Sequence, residues 1–197
     1  MSACEKMNIG ILIYDGAEVL DFAGPFEVFS TAKCLCEYDW QVNLIASEPR
    51  PIEARGGFVV VPHMGINQVS ALDVLVVVGG VHTQALQDAL LLAWLKDMAS
   101  KVPQVVSVCT GVFLLAQTGC LDGSRVTTHW EDMADLQHQY PMLTVLAGKR
   151  WVADGNYITS GGISAGIDMS LFLVSQWGGL ALAERTAKQM EYRWHRN

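Results

Sequence analysis

The chain has 197 residues, a net charge of −7, and 51% hydrophobic against 17% charged residues. That length fits one domain, and this much apolar side chain, with a mean hydropathy of +0.25, excludes a disordered chain. The acidic balance, with basic clustering limited to Lys149-Arg150 and the tail residues Arg193 and Arg196, excludes a phosphate-binding surface, so nucleic acid is not expected as a partner.

The N-terminus, Met1 to Met7, shows no cationic stretch leading into an apolar signal core. The apolar run that follows is far shorter than the ~20 residues of a membrane span. A cytoplasmic protein with no membrane partner is expected. Asn8–Tyr14 predicts a buried strand, and Gly24-Pro25 predicts the opening of a helix through Phe26, Val28 and Phe29, with Pro in the first turn. Gln41–Ala46 predicts a second strand, with Ile52–Ala54 and Phe58–Val61 a hairpin on its edge. Asp73–Val78 predicts a central strand ending in Gly79-Gly80, followed by a helix near Gln84–Ala99. Next come a strand at Val105–Val108, a helix at Val112–Gln117, a short strand at Arg125–Thr128 and an exposed helix at Glu131–Gln139. Trp151–Ala153 and Tyr157–Thr159 frame the turn Asp154-Gly155-Asn156, and Ala165–Trp177 and Leu180–Trp194 predict two closing helices. Such alternation implies an α/β fold, a mostly parallel sheet with helices on both faces. No linker divides the chain, so one domain is expected, with its core at about residues 8–195.

The cysteines Cys4, Cys34, Cys36, Cys109 and Cys120 form no even framework. Cys34 and Cys36 are the only close pair, and no second Cys or His pair stands at zinc spacing, so neither a metal nor another cofactor is expected. Free thiols in a reducing compartment are the plain expectation.

Ser107-Val108-Cys109-Thr110-Gly111 fits the pattern small-x-nucleophile-x-small between a strand and a helix. A nucleophile elbow needs small residues at both ends because the turn is too tight for larger ones. It projects the middle side chain at the carboxyl end of the sheet, where open α/β folds bind ligands. A lone Cys after a strand is more often a buried structural thiol, but the complete elbow favours a reactive one. The helix N-terminus there would lower the thiol pKa, and backbone N–H groups beyond it would hold a developing anion.

Gly79 and Gly80 either offer close backbone donors to a substrate or make an ordinary tight turn. Asp21 is either a helix-capping carboxylate or a general acid or base facing the thiol, with Asp15 and Glu18 competing for that role. His129, after Thr127-Thr128, is a loop residue or a neighbour of the site. His82 follows the double glycine and could line the same pocket, whereas His63, His138 and His195 show no partner spacing.

Together, Asp21-Phe22-Ala23-Gly24-Pro25, Gly79-Gly80, Val108-Cys109-Thr110-Gly111, Thr127-Thr128-His129-Trp130 and the segment Gly161-Gly162-Ile163-Ser164-Ala165-Gly166-Ile167-Asp168 resemble the ThiJ/PfpI superfamily over nearly the whole chain. The resemblance implies a flavodoxin-like three-layer sandwich, related to class I glutamine amidotransferase domains and usually dimeric, so a homodimer is expected. Within the superfamily the sequence looks most similar to the isocyanide hydratases, and next to the ligand-sensing domains of AraC-type regulators. By the hydratase motifs, Cys109 is implied as nucleophile, Asp21 as acid/base and Thr110 as assistant. Two departures stand out. Val81-His82-Thr83 replaces a third Gly-rich position, and Thr110 stands where protease members have His. AraC-type regulators continue into a helix-turn-helix domain of ~100 residues, whereas this sequence stops at Asn197, so a stand-alone enzyme is expected. The expected activity is cysteine-dependent chemistry on a small electrophilic molecule, by the resemblance hydration of an isocyanide to a formamide. Alternatives are a ligand- or redox-sensing domain, or an enzyme acting on glyoxals or amides.

Overall fold

The computed structural model describes residues 6–36 and 39–196; Cys4 lies outside the described residues. In chain order the strands are β1 (Met7–Leu12), β2 (Trp40–Ala46), β3 (Ile52–Ala54), β4 (Phe58–Val60), β5 (Met64–Gly65), β6 (Val74–Val77), β7 (Gln104–Val108), β8 (Arg125–Val126), β9 (Thr144–Val145), β10 (Trp151–Asp154) and β11 (Tyr157–Ser160). The helices are α1 (Val19–Cys36), α2 (Ala89–Lys101), α3 (Gly111–Gln117), α4 (Met133–Gln139), α5 (Ser164–Gly178) and α6 (Leu180–Gln189).

A seven-stranded sheet runs in the order β10-β11-β7-β6-β1-β2-β5, parallel throughout except for β10, which is antiparallel to β11. The Val/Ile/Leu runs of β1, β6 and β7 are buried on both faces, as parallel strands between helical layers must be. Helices α1, α5 and α6 pack on one another as one layer and α2 packs with α3 in the other, giving the flavodoxin-like three-layer α/β sandwich. Register decides where the chemistry sits. Leu12 pairs with Val77, Val77 with Ser107, and Val108 with Ser160, so β1, β6, β7 and β11 end level with one another. The connections that follow them all emerge at one edge. Between β1 and β6 the chain reverses its winding direction, and such a switch point opens a crevice.

Several boundaries differ from the sequence expectation, each for a local reason. Helix α1 begins at Val19, so Pro25 lies inside it rather than at its start. Pro25 has no N–H to donate to the carbonyl four residues back, but burial of Phe22, Pro25, Val28, Phe29 and Ala32 holds the helix through that gap. The β3–β4 hairpin is a separate two-stranded sheet; the edge beside β2 belongs to the two-residue strand β5. Helix α2 starts only at Ala89, where the Asp88 carboxylate accepts the Leu91 N–H at 2.9 Å. The strand at Arg125 stops at Val126, and its pairing is with β9 in a second small sheet. Helix α6 ends at Gln189 instead of Trp194 because Glu191 turns to φ 50°. The chain beyond it folds back on α5: Trp194 Nε1 donates to the Asp168 carbonyl at 3.0 Å, and the His195 N–H donates to Asp168 Oδ1 at 2.9 Å.

Candidate active site

Cys109 sits in the elbow expected from its neighbours. It adopts φ 56°, a left-handed conformation that is uncommon for a side chain other than Gly, Asn or Asp. Its N–H donates to the carbonyls of Ser160 and Gly161, both at 3.2 Å, and its own carbonyl accepts the Thr128 hydroxyl at 2.8 Å. These bonds hold the strained turn against the end of β11. Gly111 is required by close approach, since a Cβ there would overlap the Val77 carbonyl oxygen.

Asp21, fully buried in the first turn of α1, does not cap its own helix. One carboxyl oxygen accepts the Gly79 N–H at 3.1 Å and the other accepts the Ile163 N–H at 3.0 Å. Its carboxyl group lies near enough to the Cys109 thiol to push that thiol's pKa up. The structure thus brings together the acid and the thiol of the sequence reading. Neither the Asp15 nor the Glu18 carboxylate bonds to either of them, though the Glu18 charge adds to the rise of the Asp21 pKa. Asp15 binds Arg50 and the Glu53 N–H, which hold its carboxyl below the usual range, and Glu18 pairs with Arg55 at 2.9 Å.

Burial raises the Asp21 pKa from 3.8 to about 7, against the two N–H donors that lower it. Burial and then the Asp21 carboxylate push the Cys109 thiol up, while the Thr110 N–H at the sulfur lowers it. The helix N-terminus was expected to make this thiol acidic. Desolvation and a neighbouring like charge are stronger here, and a short helix of seven residues offers little to oppose them. Near neutral pH the thiol thus keeps its proton, and the carboxyl group beside it is poised to take up or release one.

The double glycine serves the site differently from the expectation. The Gly79 N–H goes to Asp21, and the Gly80 N–H donates to the Thr110 hydroxyl at 2.9 Å, which in turn donates to the Gly80 carbonyl at 3.0 Å. Both donors thus brace the acid and Thr110. Gly80 has φ 136°, open only to glycine, and bridges to Ala17. His82 lies behind this turn, with Nδ1 3.2 Å from the Gly80 carbonyl and its ring stacked on Phe113. His129 does reach the thiol's neighbourhood: a Cβ on Gly162 would overlap the His129 ring and lie 3.1 Å from Cys109 Sγ. Its Nδ1 is 3.4 Å from Asp132 Oδ2.

Three residues were missed from sequence. Ile163 donates to Asp21 from φ 56°, and a β-branched residue is the last one expected there; the only signal was the Gly161-Gly162 pair before it. Tyr14 is buried at the end of β1, where its hydroxyl donates to the Val78 carbonyl at 3.1 Å, and burial, Asp21 and Cys109 raise its pKa. Arg150 clamps the segment carrying Ile163. Its carbonyl accepts the Gly161 N–H at 2.9 Å, and its guanidinium binds Ser164 and the buried Asp168.

This arrangement sets a thiol beside a buried carboxyl group at a switch point, a pairing chemically able to add sulfur to a small electrophile. The sequence model of the DJ-1/PfpI family matches residues 7–176. The isonitrile hydratase of Pseudomonas putida is 35% identical over 188 residues, covering 94% of this chain and 78% of that protein. The HTH-type transcriptional regulator GbdR of Pseudomonas aeruginosa is 28% identical over 193 residues, which span 96% of this chain but 52% of the regulator. A crystal structure of a ThiJ/PfpI family protein from Pseudomonas syringae matches with a TM-score of 0.87 at 27% identity, covering 98% of this chain and 77% of that one. On the family model and these likenesses, the chain belongs to the DJ-1/PfpI family.

Proposed function

We propose that the protein is a cysteine-dependent enzyme that hydrates a small isocyanide to the N-substituted formamide. The observation that carries the reading is the buried Asp21 carboxyl group, held by the N–H groups of Gly79 and Ile163 beside the Cys109 thiol. The likeness to an isonitrile hydratase supplies the substrate class. In the first step the sulfur of Cys109 bonds to the terminal isocyanide carbon, and the thiol proton passes through Asp21 to that same carbon. The product is a thioimidate, R–N=CH–S–Cys109. Water then adds to the carbon, the C–S bond breaks, one proton of the water goes to nitrogen, and the other returns to sulfur through Asp21. R–NH–CHO leaves, so one isocyanide and one water give one formamide. The Thr110 N–H at the sulfur supports negative charge there, and the Thr110 hydroxyl keeps Gly80 in place.

A homodimer closed over this face is part of the proposal. Leu20, Phe58, Val59, Val61 and Ile163 leave apolar surface exposed on the elements around Asp21 and on the adjoining hairpin. A cytoplasmic setting fits the free thiols of Cys34, Cys36, Cys109 and Cys120. Among the described residues, no helix is long and apolar enough to cross a membrane. The regulator likeness favours a second reading, a domain that senses a ligand at the same site without turnover. The deciding experiment incubates purified protein with cyclohexyl isocyanide and follows N-cyclohexylformamide by proton NMR. Multiple turnovers that vanish in Cys109→Ser are expected. A folded protein that forms no more formamide than buffer would sink the enzyme reading and leave the sensor.

A further inference from the structure

A cavity among the described residues lies away from Cys109. It holds about 720 Å³ and opens between the carboxyl ends of β1 and β2 and the start of α2; neither Cys109 nor Asp21 is in its wall. That volume is within the roughly 300–1,000 Å³ of small-molecule sites. Its wall has two characters. Tyr14 and Trp94, with the buried Ile52 and Leu91, give it an apolar and aromatic part. The same wall carries three acidic residues, Asp15, Glu48 and Asp88, and one basic residue, Arg50. Arg50 is already engaged, by Asp15, by the Pro51 carbonyl and, at 3.8 Å, by Glu48. Asp88 accepts the Leu91 N–H at 2.9 Å through one oxygen and the Ser47 hydroxyl at 3.0 Å through the other, and each oxygen keeps a second lone pair. The positive end of α2 offsets about half a charge at most, so the cavity stays net negative.

We infer that this cavity is a second small-molecule site, separate from Cys109, that takes a compact amphipathic cation such as an arylalkylammonium ion. Its ammonium group meets Asp88, and its hydrocarbon part lies against Trp94 and Tyr14, whose ring faces attract cations as well as apolar surface. An anion of the same shape is repelled, and a neutral one loses the charged contact. Tyr14 is common to both places. It lines the cavity while its hydroxyl bonds the Val78 carbonyl, next to the glycine that braces Asp21. The inference does not rest on the hydration reading, because no residue of the acid–thiol pair is used.

The test is calorimetric titration of the purified protein, near neutral pH, with 2-phenylethylamine, 2-phenylethanol and 3-phenylpropionate. The ammonium probe should bind at least about tenfold more tightly than the alcohol, and the carboxylate more weakly than either. Asp88→Asn keeps an acceptor for the helix cap, since Asn caps as well as Asp, and should bring the ammonium probe down to the alcohol's affinity. Protein alkylated at Cys109 with iodoacetamide should bind as untreated protein does. Equal affinity for the three probes, no ammonium binding below about 10 mM, or loss of binding on alkylation of Cys109 would each overturn the inference. The comparison of probes on the unaltered protein stands even if Asp88→Asn fails to fold.

Discussion

Replacing Asp21 by Asn should remove a pH dependence of stability that is written into this site. The carboxyl is fully buried, and its pKa rises from 3.8 to about 7 on folding. Between those values the folded protein holds the proton and the unfolded chain does not, so stability falls as pH rises from about 4 to about 7. A rise of that size corresponds to about 4 kcal/mol in all, of which about 2 kcal/mol falls between about pH 5.5 and pH 7. Asn cannot ionise, so its contribution is flat. It carries a different penalty, because its single oxygen can accept from Gly79 or from Ile163 but not from both. The other N–H then faces an amide donor, at a cost of about 1–3 kcal/mol at every pH. Urea unfolding followed by circular dichroism across that range gives both curves, and their difference cancels every other titrating group. The variant should be the less stable at the acid end and should draw level with or pass the parent above pH 7. Parallel curves would show that Asp21 ionises in the folded protein as it does in the unfolded chain, and the account of a carboxyl poised near neutrality would fail.

The same variant should lose turnover of the isocyanide by about a hundredfold or more, since the proton relay is gone; unchanged kcat in an assay of formamide release would return Asp21 to a structural role. Alkylation should move the other way: above pH 7, Asp21→Asn should speed iodoacetamide labelling of Cys109 by removing the carboxylate that pushes the thiol up, as timed by mass spectrometry. In the parent protein at neutral pH the exposed Cys34 should label ahead of Cys109, which is buried. Gly111→Ala should cost more than about 3 kcal/mol, or leave the protein insoluble, because the Val77 carbonyl already fills the place of its Cβ. Asp168→Asn should raise the pH at which kcat half-saturates and leave Cys109 labelling in place, because it loosens Arg150 and through it the Ile163 N–H that stabilises ionised Asp21. A change in melting temperature alone, with the pH profile unmoved, would reduce that residue to a structural tie.

The order of strands and helices was legible because buried parallel strands are written as uninterrupted apolar runs, such as Val74–Val77, between stretches of helical periodicity. The elbow was legible too, since small residues on both sides of a thiol after a strand are what so tight a turn demands. What escaped was set by tertiary contact. Pro25 obeyed its local rule poorly because burial of its neighbours outweighs one missing hydrogen bond. No pattern marked Ile163 for a left-handed backbone, because the cause is the carboxyl group of Asp21, 142 residues away. The acidity of Cys109 was misjudged for a related reason: a helix N-terminus is visible in sequence, but the desolvation that opposes it is not.

Asp21 is the point at which these separate connections depend on one another. Its carboxyl draws in the N–H that follows β6 and the N–H that precedes α5, and its charge acts on the thiol of the elbow after β7. Two residues flanking it, Cys109 and Ile163, hold backbone conformations that cost of the order of 1–3 kcal/mol each. Neither conformation is required for the sheet, whose register is already fixed by strand pairing. The strain is instead what aims a thiol and an N–H at the same buried carboxyl. A carboxyl so held keeps its proton at neutral pH only because water is excluded, and it can release that proton because the two N–H groups stabilise the anion left behind. The opposing effects leave its pKa at about 7 rather than at either extreme. That balance, with the proton available for gift and return near neutral pH, is the property a two-step addition and hydrolysis needs.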